Sequence, residues 1–143
     1  MDSPRLGYHF AKLHRLMLSF CKRDVAGLGL QISQMPFLLI LLRLDAPITQ
    51  DELSTALVID KAATTRTLDQ LQRSGFVDRI VNPNNRRQKL VTATVKAKAI
   101  QGDLYEILQT ASNVFTQNFS QEEMGQVFKL LNRMIANAME ANS

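Results

Sequence analysis

The sequence predicts a mainly α-helical fold of six helices interrupted by one small β-hairpin, and three local signals carry that expectation. A helix over 60–74 opens on Asp60 and closes before Gly75, as capping chemistry requires. Two apolar runs, FVDRIV and QKLV, then flank the turn NPNNRR, which marks a hairpin. A shorter helix begins just upstream at Ile48-Thr49-Gln50-Asp51-Glu52-Leu53 and meets the 60–74 helix through a tight turn. Together they make a helix-turn-helix with a wing over 76–93.

Charge is concentrated on the same stretch. Between positions 60 and 89, Lys61, Arg66, Arg73, Arg79, Arg86, Arg87 and Lys89 face only Asp60, Asp69 and Asp78, an excess equal to the +4 of the whole chain. The segments on either side nearly cancel, at +1 for 1–59 and −1 for 91–143. A local basic excess with a sequence pI near 9.5 is the footprint of a polyanion-binding surface. A solvated charged face is the plain alternative, and the coincidence with a short helix and a basic turn favours the first.

Composition excludes several classes. At 143 residues, 45% hydrophobic and 21% charged, the chain has the make-up of one ordinary soluble domain. Its longest apolar run, 37–42, is far short of the ~20 residues of a membrane span. The polar start MDSPRLGYHF lacks a signal-peptide core, so a cytoplasmic location with no membrane partner is expected. Cys21 is the single cysteine, which rules out an intrachain disulfide. His9 and His14 fall on different sides of a helix and no Cys/His cluster exists, so neither metal nor cofactor is expected. With no Gly-rich phosphate loop, nucleophile elbow, HExxH or paired-carboxylate motif, there are no catalytic residues to assign and no enzyme is expected.

In chain order, Leu6, Phe10, Leu13, Met17 and Phe20 recur at helical spacing over 4–26. This seam could pack on the chain's own core or on another subunit. GLGL at 27–30 breaks that helix. Ser33 can cap a second helix through Leu44, with Pro36 tolerated in its first turn. Its run PFLLILLRL is apolar all round, hence a buried central helix. Thr49 and Glu52 form a capping box for the third helix, with Ile48 and Leu53 placed as a hydrophobic staple. Leu53, Ala56 and Leu57 should point inward.

At about 100° per residue, Thr64, Leu68 and Leu71 share the inner side of the 60–74 helix, while Ala62, Arg66, Asp69 and Arg73 lie opposite, flanked by Thr65 and Gln70. The outward set is small or polar near the N-terminus, as entry into a major groove demands. Ala62 and Thr65 suit thymine methyls, Arg66 a guanine edge or phosphate, and Lys61 and Arg73 add charge. In the wing, Pro83, Asn84 and Asn85 favour the turn. Asn84, Arg86, Arg87 and Lys89 suit phosphates or a narrow minor groove.

A long fifth helix is expected from 95 to about 118. Ser120 and Glu123 box the last helix, with Phe119 and Met124 as staple. Its stripe comprises Met124, Val127, Phe128, Leu131, Met134, Ile135, Ala138 and Met139. Leu6, Phe10, Leu13 and Met17 at one end and Phe128, Leu131 and Ile135 at the other offer more apolar surface than one small domain covers. A homodimerisation region from both ends is the outlet. The expected divisions are 1–32 (dimerisation), 33–94 (DNA-binding) and 95–143 (dimerisation), within one integrated domain.

From 48 to 94, ITQDELSTALVIDKAATTRTLDQLQRSGFVDRIVNPNNRRQKLVTAT resembles the multiple antibiotic resistance regulator (MarR) family of winged-helix transcription factors almost without a gap. Thr65-Arg66 ahead of Leu68 and Leu71, Gly75 before the first wing strand, and Arg87 with Lys89-Leu90-Val91 carry the likeness, and the flanking helices fit the family's order. The resemblance implies a homodimer with two reading heads on a pseudo-palindromic operator in double-stranded DNA. It also implies repression relieved by an oxidant or by a ligand such as a small aromatic or phenolic effector.

The wing departs from the family's Asp-x-Arg-Asp-x-Arg. Asn84 replaces the arginine that commonly probes the minor groove, Asn85 replaces the bracing acid, and Arg86 is the substitute probe. Ala97 stands where glycine is frequent. An oxidant-sensing branch of the family offers Cys21 as a redox switch, with Lys22 and Arg23 placed to lower its thiol pKa. The other reading is a winged-helix protein-interaction module without DNA binding.

Overall fold

The computed structural model describes residues 4–143, excepting the side chain of Pro4. Among the described residues there are seven α-helices and one three-stranded sheet: α1 Pro4–Gly27, α2 Met35–Leu44, β1 Ile48–Thr49, α3 Gln50–Leu57, α4 Lys61–Arg73, β2 Val77–Asn82, β3 Asn85–Ala93, α5 Val95–Ala99, α6 Gln101–Phe115 and α7 Gln121–Ala141. The chain divides into two compact units, one ending at Leu108 and the other running from Gln109 to Ser143. No single helix among them is long and apolar enough to cross a membrane.

The first unit holds the core. Phe37, Leu38 and Leu41 of α2, Leu53 of α3, Leu68 and Leu71 of α4, Phe76 just before β2, and Val77 and Val91 of the sheet are each almost wholly withdrawn from water. The apolar α2 is therefore the central element its composition requires, although Leu44 at its end is exposed. Its start differs from expectation. Ile32–Gln34 form a single 3-10 turn, and Gln34, not Ser33, is the residue preceding α2. Gln34 is buried and its side-chain oxygen accepts the Gln31 amide at 2.9 Å. That local bond closes a tighter turn than a serine cap would.

The box at α3 forms as its sequence dictates. The Glu52 amide donates to Thr49 Oγ1 at 3.1 Å, and the Thr49 amide to Glu52 Oε2 at 3.3 Å. Thr49 has a second duty, because Ile48 and Thr49 also pair with Val91 and Leu90 as β1. The sheet order is β1-β3-β2, all antiparallel, so the hairpin gains a third strand that two residues are too few to announce by alternation.

Two inward assignments in α3 are corrected. Ala56 is exposed and Leu57 half-buried, and it is Ser54 that turns inward beside Leu53. Its hydroxyl donates to Thr64 Oγ1 at 2.8 Å, and Thr64 donates to the Asp60 carbonyl at 2.9 Å. A buried polar pin thus joins α3 to α4 where an apolar contact was expected.

The expected fifth helix is two, which raises the helix count from six to seven. Thr94 caps α5 through the Ala97 amide at 3.3 Å. At Ile100 the backbone leaves helical geometry (φ −98°, ψ 1°) and its amide bonds back only three residues, to Ala97 at 3.2 Å. The helix resumes as α6, and the buried Ala97 sits in the short α5.

In the second unit, the Ser120–Glu123 box forms at 3.0 and 3.1 Å and starts α7. Hydrogen bonding to the Glu123 carboxyl from Ser120, first from its backbone amide and then from its side chain, holds that carboxyl below its ordinary pKa. No residue of α7 is buried. Within its stripe Phe128, Leu131, Ile135 and Met139 are exposed, while Met124, Val127 and Met134 are half-buried.

Candidate nucleic-acid interface

Helix α4 is positioned by both ends and its inner face. Asp60 Oδ1 accepts the Ala63 amide at 2.7 Å, satisfying one of the donors a helix start leaves open. Thr64, Leu68 and Leu71 are buried as the helical spacing requires. At the other end Gly75 turns the chain with φ +82°, a conformation glycine adopts without steric cost. Lys96 then closes the helix: its Nζ donates to the Ser74 carbonyl at 2.6 Å and lies 4.4 Å from the Phe76 ring centroid. A cation at a helix C-terminus and over an aromatic face is favourable on both counts.

With α4 fixed in this way, its outer face is open. Lys61, Ala62, Thr65, Arg66 and Arg73 are all exposed, as are Asn84, Arg86, Arg87 and Lys89 of the wing. Among the described residues no ion pair engages Arg66, Arg73, Arg86, Arg87 or Lys89, whereas Lys61 lies 3.5 Å from Asp51. A hollow of about 230 Å³ between α3, α4 and β3 brings Thr65, Arg87 and Lys89 together with Thr49, Gln50, Asp51 and Gln88. Arg73 lies elsewhere, lining a hollow of about 270 Å³ with Asp69, Gln72 and Arg79. Basic side chains around a concave surface attract a polyanion.

The wing tip is ordered by its asparagines. Asn82 Oδ1 accepts the Asn84 amide at 3.0 Å, and Asn85 Oδ1 accepts the Arg87 amide at 3.2 Å. The register shifts between Val81 and Asn82, which bends the ladder at the tip. Asn85 therefore steadies the backbone at Arg87 despite carrying no charge.

Asp69 lies on the outer side as spacing suggested, its side chain 43% exposed, but it is ion-paired with Arg79 of β2, whose side chain is only 9% exposed. Arg79 also donates from Nε to Gln72 Oε1 at 2.8 Å and from Nη1 to Gln50 Oε1 at 3.3 Å. Gln50 in turn donates to Thr65 Oγ1 at 2.8 Å. The Asp69 carboxyl is held below its ordinary value, first by its hydrogen bond from Arg79 and then by the charges of Arg79, Arg73 and Lys89, against an opposing desolvation. Arg79, Gln50 and Lys96 escaped the sequence reading of the site. Only the net charge of the stretch hinted at Arg79.

Cys21 is wholly buried in α1. Its thiol pKa is raised, first by desolvation and then by Asp24, so Lys22 and Arg23 do not activate it as their sequence positions suggested. Leu6, Phe10 and Leu13 on the same helix are exposed and Met17 is half-buried.

Two short helices joined at a turn, the second exposed and basic and followed by a three-stranded sheet with a protruding hairpin, define a winged helix-turn-helix protein. Comparison with known proteins narrows this. The MarR family pattern matches residues 30–89. A MarR transcriptional regulator from Methanosarcina mazei Go1 superposes with a TM-score of 0.92 at 27% identity, covering 97% of this chain and 99% of that one. A MarR protein from Peptoclostridium difficile DA00132 gives 0.92 at 28% identity, covering 99% of this chain and 91% of that one. The HTH-type transcriptional regulator BilQ of Clostridioides difficile (strain CD3) is 28% identical over 126 residues, covering 88% of this chain and 84% of the relative. The chain thus has a winged helix-turn-helix fold, carries the MarR family pattern over residues 30–89, and is similar over most of its length to MarR-type transcription regulators.

Proposed function

We propose that the protein is a homodimeric, sequence-specific repressor that places α4 in the major groove of a pseudo-palindromic operator and the wing against phosphates or the minor groove. The observation that carries this reading is the joint exposure of Lys61, Ala62, Thr65, Arg66, Arg86, Arg87 and Lys89 on α4 and the wing, with α4 held from behind by buried Thr64, Leu68 and Leu71. Small and polar groups lead at the N-terminal half of α4, which suits a groove about 12 Å wide. Dimerisation through the two chain ends is supported by the exposed apolar side chains of Leu6, Phe10 and Leu13 and of Phe128, Leu131 and Ile135. Twofold pairing would repeat the reading head at a spacing of about ten base pairs or a multiple of it. Release by a small aromatic or phenolic ligand follows from the family resemblance.

The test is a salt titration of binding to duplex DNA from beside the protein's own gene. The logarithm of the binding constant is expected to fall linearly with that of salt, with a slope near −0.9 per phosphate contact. If no such fragment is bound at low salt, the reading fails. Adding a phenolic acid to the complex then tests release.

A further inference from the structure

We propose that Gln50 is a positioning residue for base recognition. Anchored by Arg79, it occupies the Thr65 hydroxyl so that Thr65 meets DNA with its methyl group, as suits thymine. This rests on the DNA-reading role proposed for α4.

Hydrogen-bond polarity fixes each member of the chain. A guanidinium only donates, so the Gln50 oxygen that meets Arg79 Nη1 at 3.3 Å must be the acceptor. The amide nitrogen of Gln50 therefore faces Thr65 and donates to its Oγ1 at 2.8 Å. Thr65 in turn directs its single hydroxyl proton to the Lys61 carbonyl at 2.9 Å. With that proton engaged inside the helix and one lone pair occupied, Thr65 is no donor for guanine O6 or N7, adenine N7, thymine O4 or a phosphate oxygen. Its methyl remains, and in the major groove only thymine presents a methyl to meet it.

The anchor is stiff. Arg79 is held on three sides, by Asp69, by Gln72 Oε1 at 2.8 Å and by Gln50, with its side chain 9% exposed. Gln50 can reach both partners because it is the first residue of α3, where the Thr49–Glu52 box fixes the backbone without using the Gln50 side chain. The wing strand, the start of α3 and the outer face of α4 thus converge on one hydroxyl.

The experiment uses the full chain and a duplex that it binds, with each thymine replaced in turn by deoxyuridine, which removes only the methyl. For the natural protein, affinity is expected to fall about fourfold at one thymine per half-site, the worth of roughly one buried methyl. Thr65→Val keeps a methyl and should retain that loss; Thr65→Ser should abolish it and so locate the position. Gln50→Ala should shrink the loss there to under about twofold while leaving the salt slope, which counts phosphates, unchanged. The proposal is overturned if Gln50→Ala keeps the full loss at the position that Thr65→Ser identifies. It is equally overturned if no thymine responds, or if Gln50→Ala lowers the salt slope in step with affinity, which would mark a general loss of structure. Failure of the natural protein to bind the unmodified duplex would instead defeat the DNA-binding reading itself.

Discussion

Arg79 of β2 is ion-paired with Asp69 of α4, and this pair joins the wing to the helix whose outer face is free. The Asp69 carboxyl is depressed below its ordinary value of 3.8, chiefly by the hydrogen bond from Arg79. For a carboxylate with a lowered folded-state pKa, the unfolded chain binds the proton first. The contribution of the pair is therefore fully present above the unfolded value and lost as pH falls through the folded one. Acid titration should loosen the wing only below about pH 4, read as faster amide exchange in β2 and β3. Asp69→Asn should show loosened exchange already at neutral pH, with no further change across that window.

The turn between α3 and α4 contains a strained residue. Val58 has φ +55° and is 74% exposed, so a β-branched side chain sits in the left-handed region with little burial in return. That conformation costs about 1–2 kcal/mol for a residue with a Cβ, against about 0.5–1 kcal/mol of backbone entropy for glycine. Val58→Gly should raise stability by about 0.5–1 kcal/mol, a shift in thermal midpoint of roughly 2 °C. Thermal unfolding followed by circular dichroism checks this, and a lower midpoint would refute the strain.

Cys21 should behave as an inert core thiol. Reaction requires a thiolate in contact with solvent, and Cys21 is fully buried with its pKa raised by desolvation and by Asp24. A disulfide-exchange reagent at neutral pH should modify native protein at least about a hundredfold more slowly than denatured protein. Peroxide at concentrations that oxidise exposed thiols should leave DNA affinity unchanged, and Cys21→Ser should bind DNA as the natural protein does.

The proposed dimer would cover the apolar stripe that α7 leaves exposed. Phe128 and Ile135 are each 59% exposed, and covering both in a dimer is worth several kcal/mol over two symmetric copies, at about 1.5–3 kcal/mol for each large side chain fully buried. The double variant Phe128→Glu/Ile135→Glu should sediment as a monomer at micromolar concentration. An unchanged dimer mass would place the interface elsewhere.

Elements whose signals are local were legible in the sequence. The Thr49–Glu52 and Ser120–Glu123 boxes, the Asp60 cap and the inward set Thr64, Leu68 and Leu71 each depend on residues within a few positions of one another, and each forms in the structure. What escaped depends on distance along the chain. Arg79 meets Gln50 across 29 positions and Lys96 reaches Ser74 across 22, so no periodicity could announce either. The pairing of Asp69 with Arg79 was missed because helical phase knows nothing of a strand that returns beside it. The break at Ile100 was hidden by apolar spacing that runs on unchanged through α5 and α6. Ser54 was passed over because an inward serine looks wrong until Thr64 is known to face it.

Arg66 and Arg87 should fail in different ways. Arg66 stands on the outer face of α4 beside Thr65, where a guanidinium can pair with a guanine edge, while Arg87 lines the hollow beside β3 and stands on the wing. If Arg66 reads a base, Arg66→Ala should weaken operator binding by about 1–3 kcal/mol and relax selectivity at one position. Arg87→Ala should weaken operator and unrelated duplex alike and flatten the salt slope by roughly one phosphate contact. Measuring both variants on both duplexes across a salt series separates these effects. Equal losses of selectivity from the two variants would contradict this division between the helix and the wing.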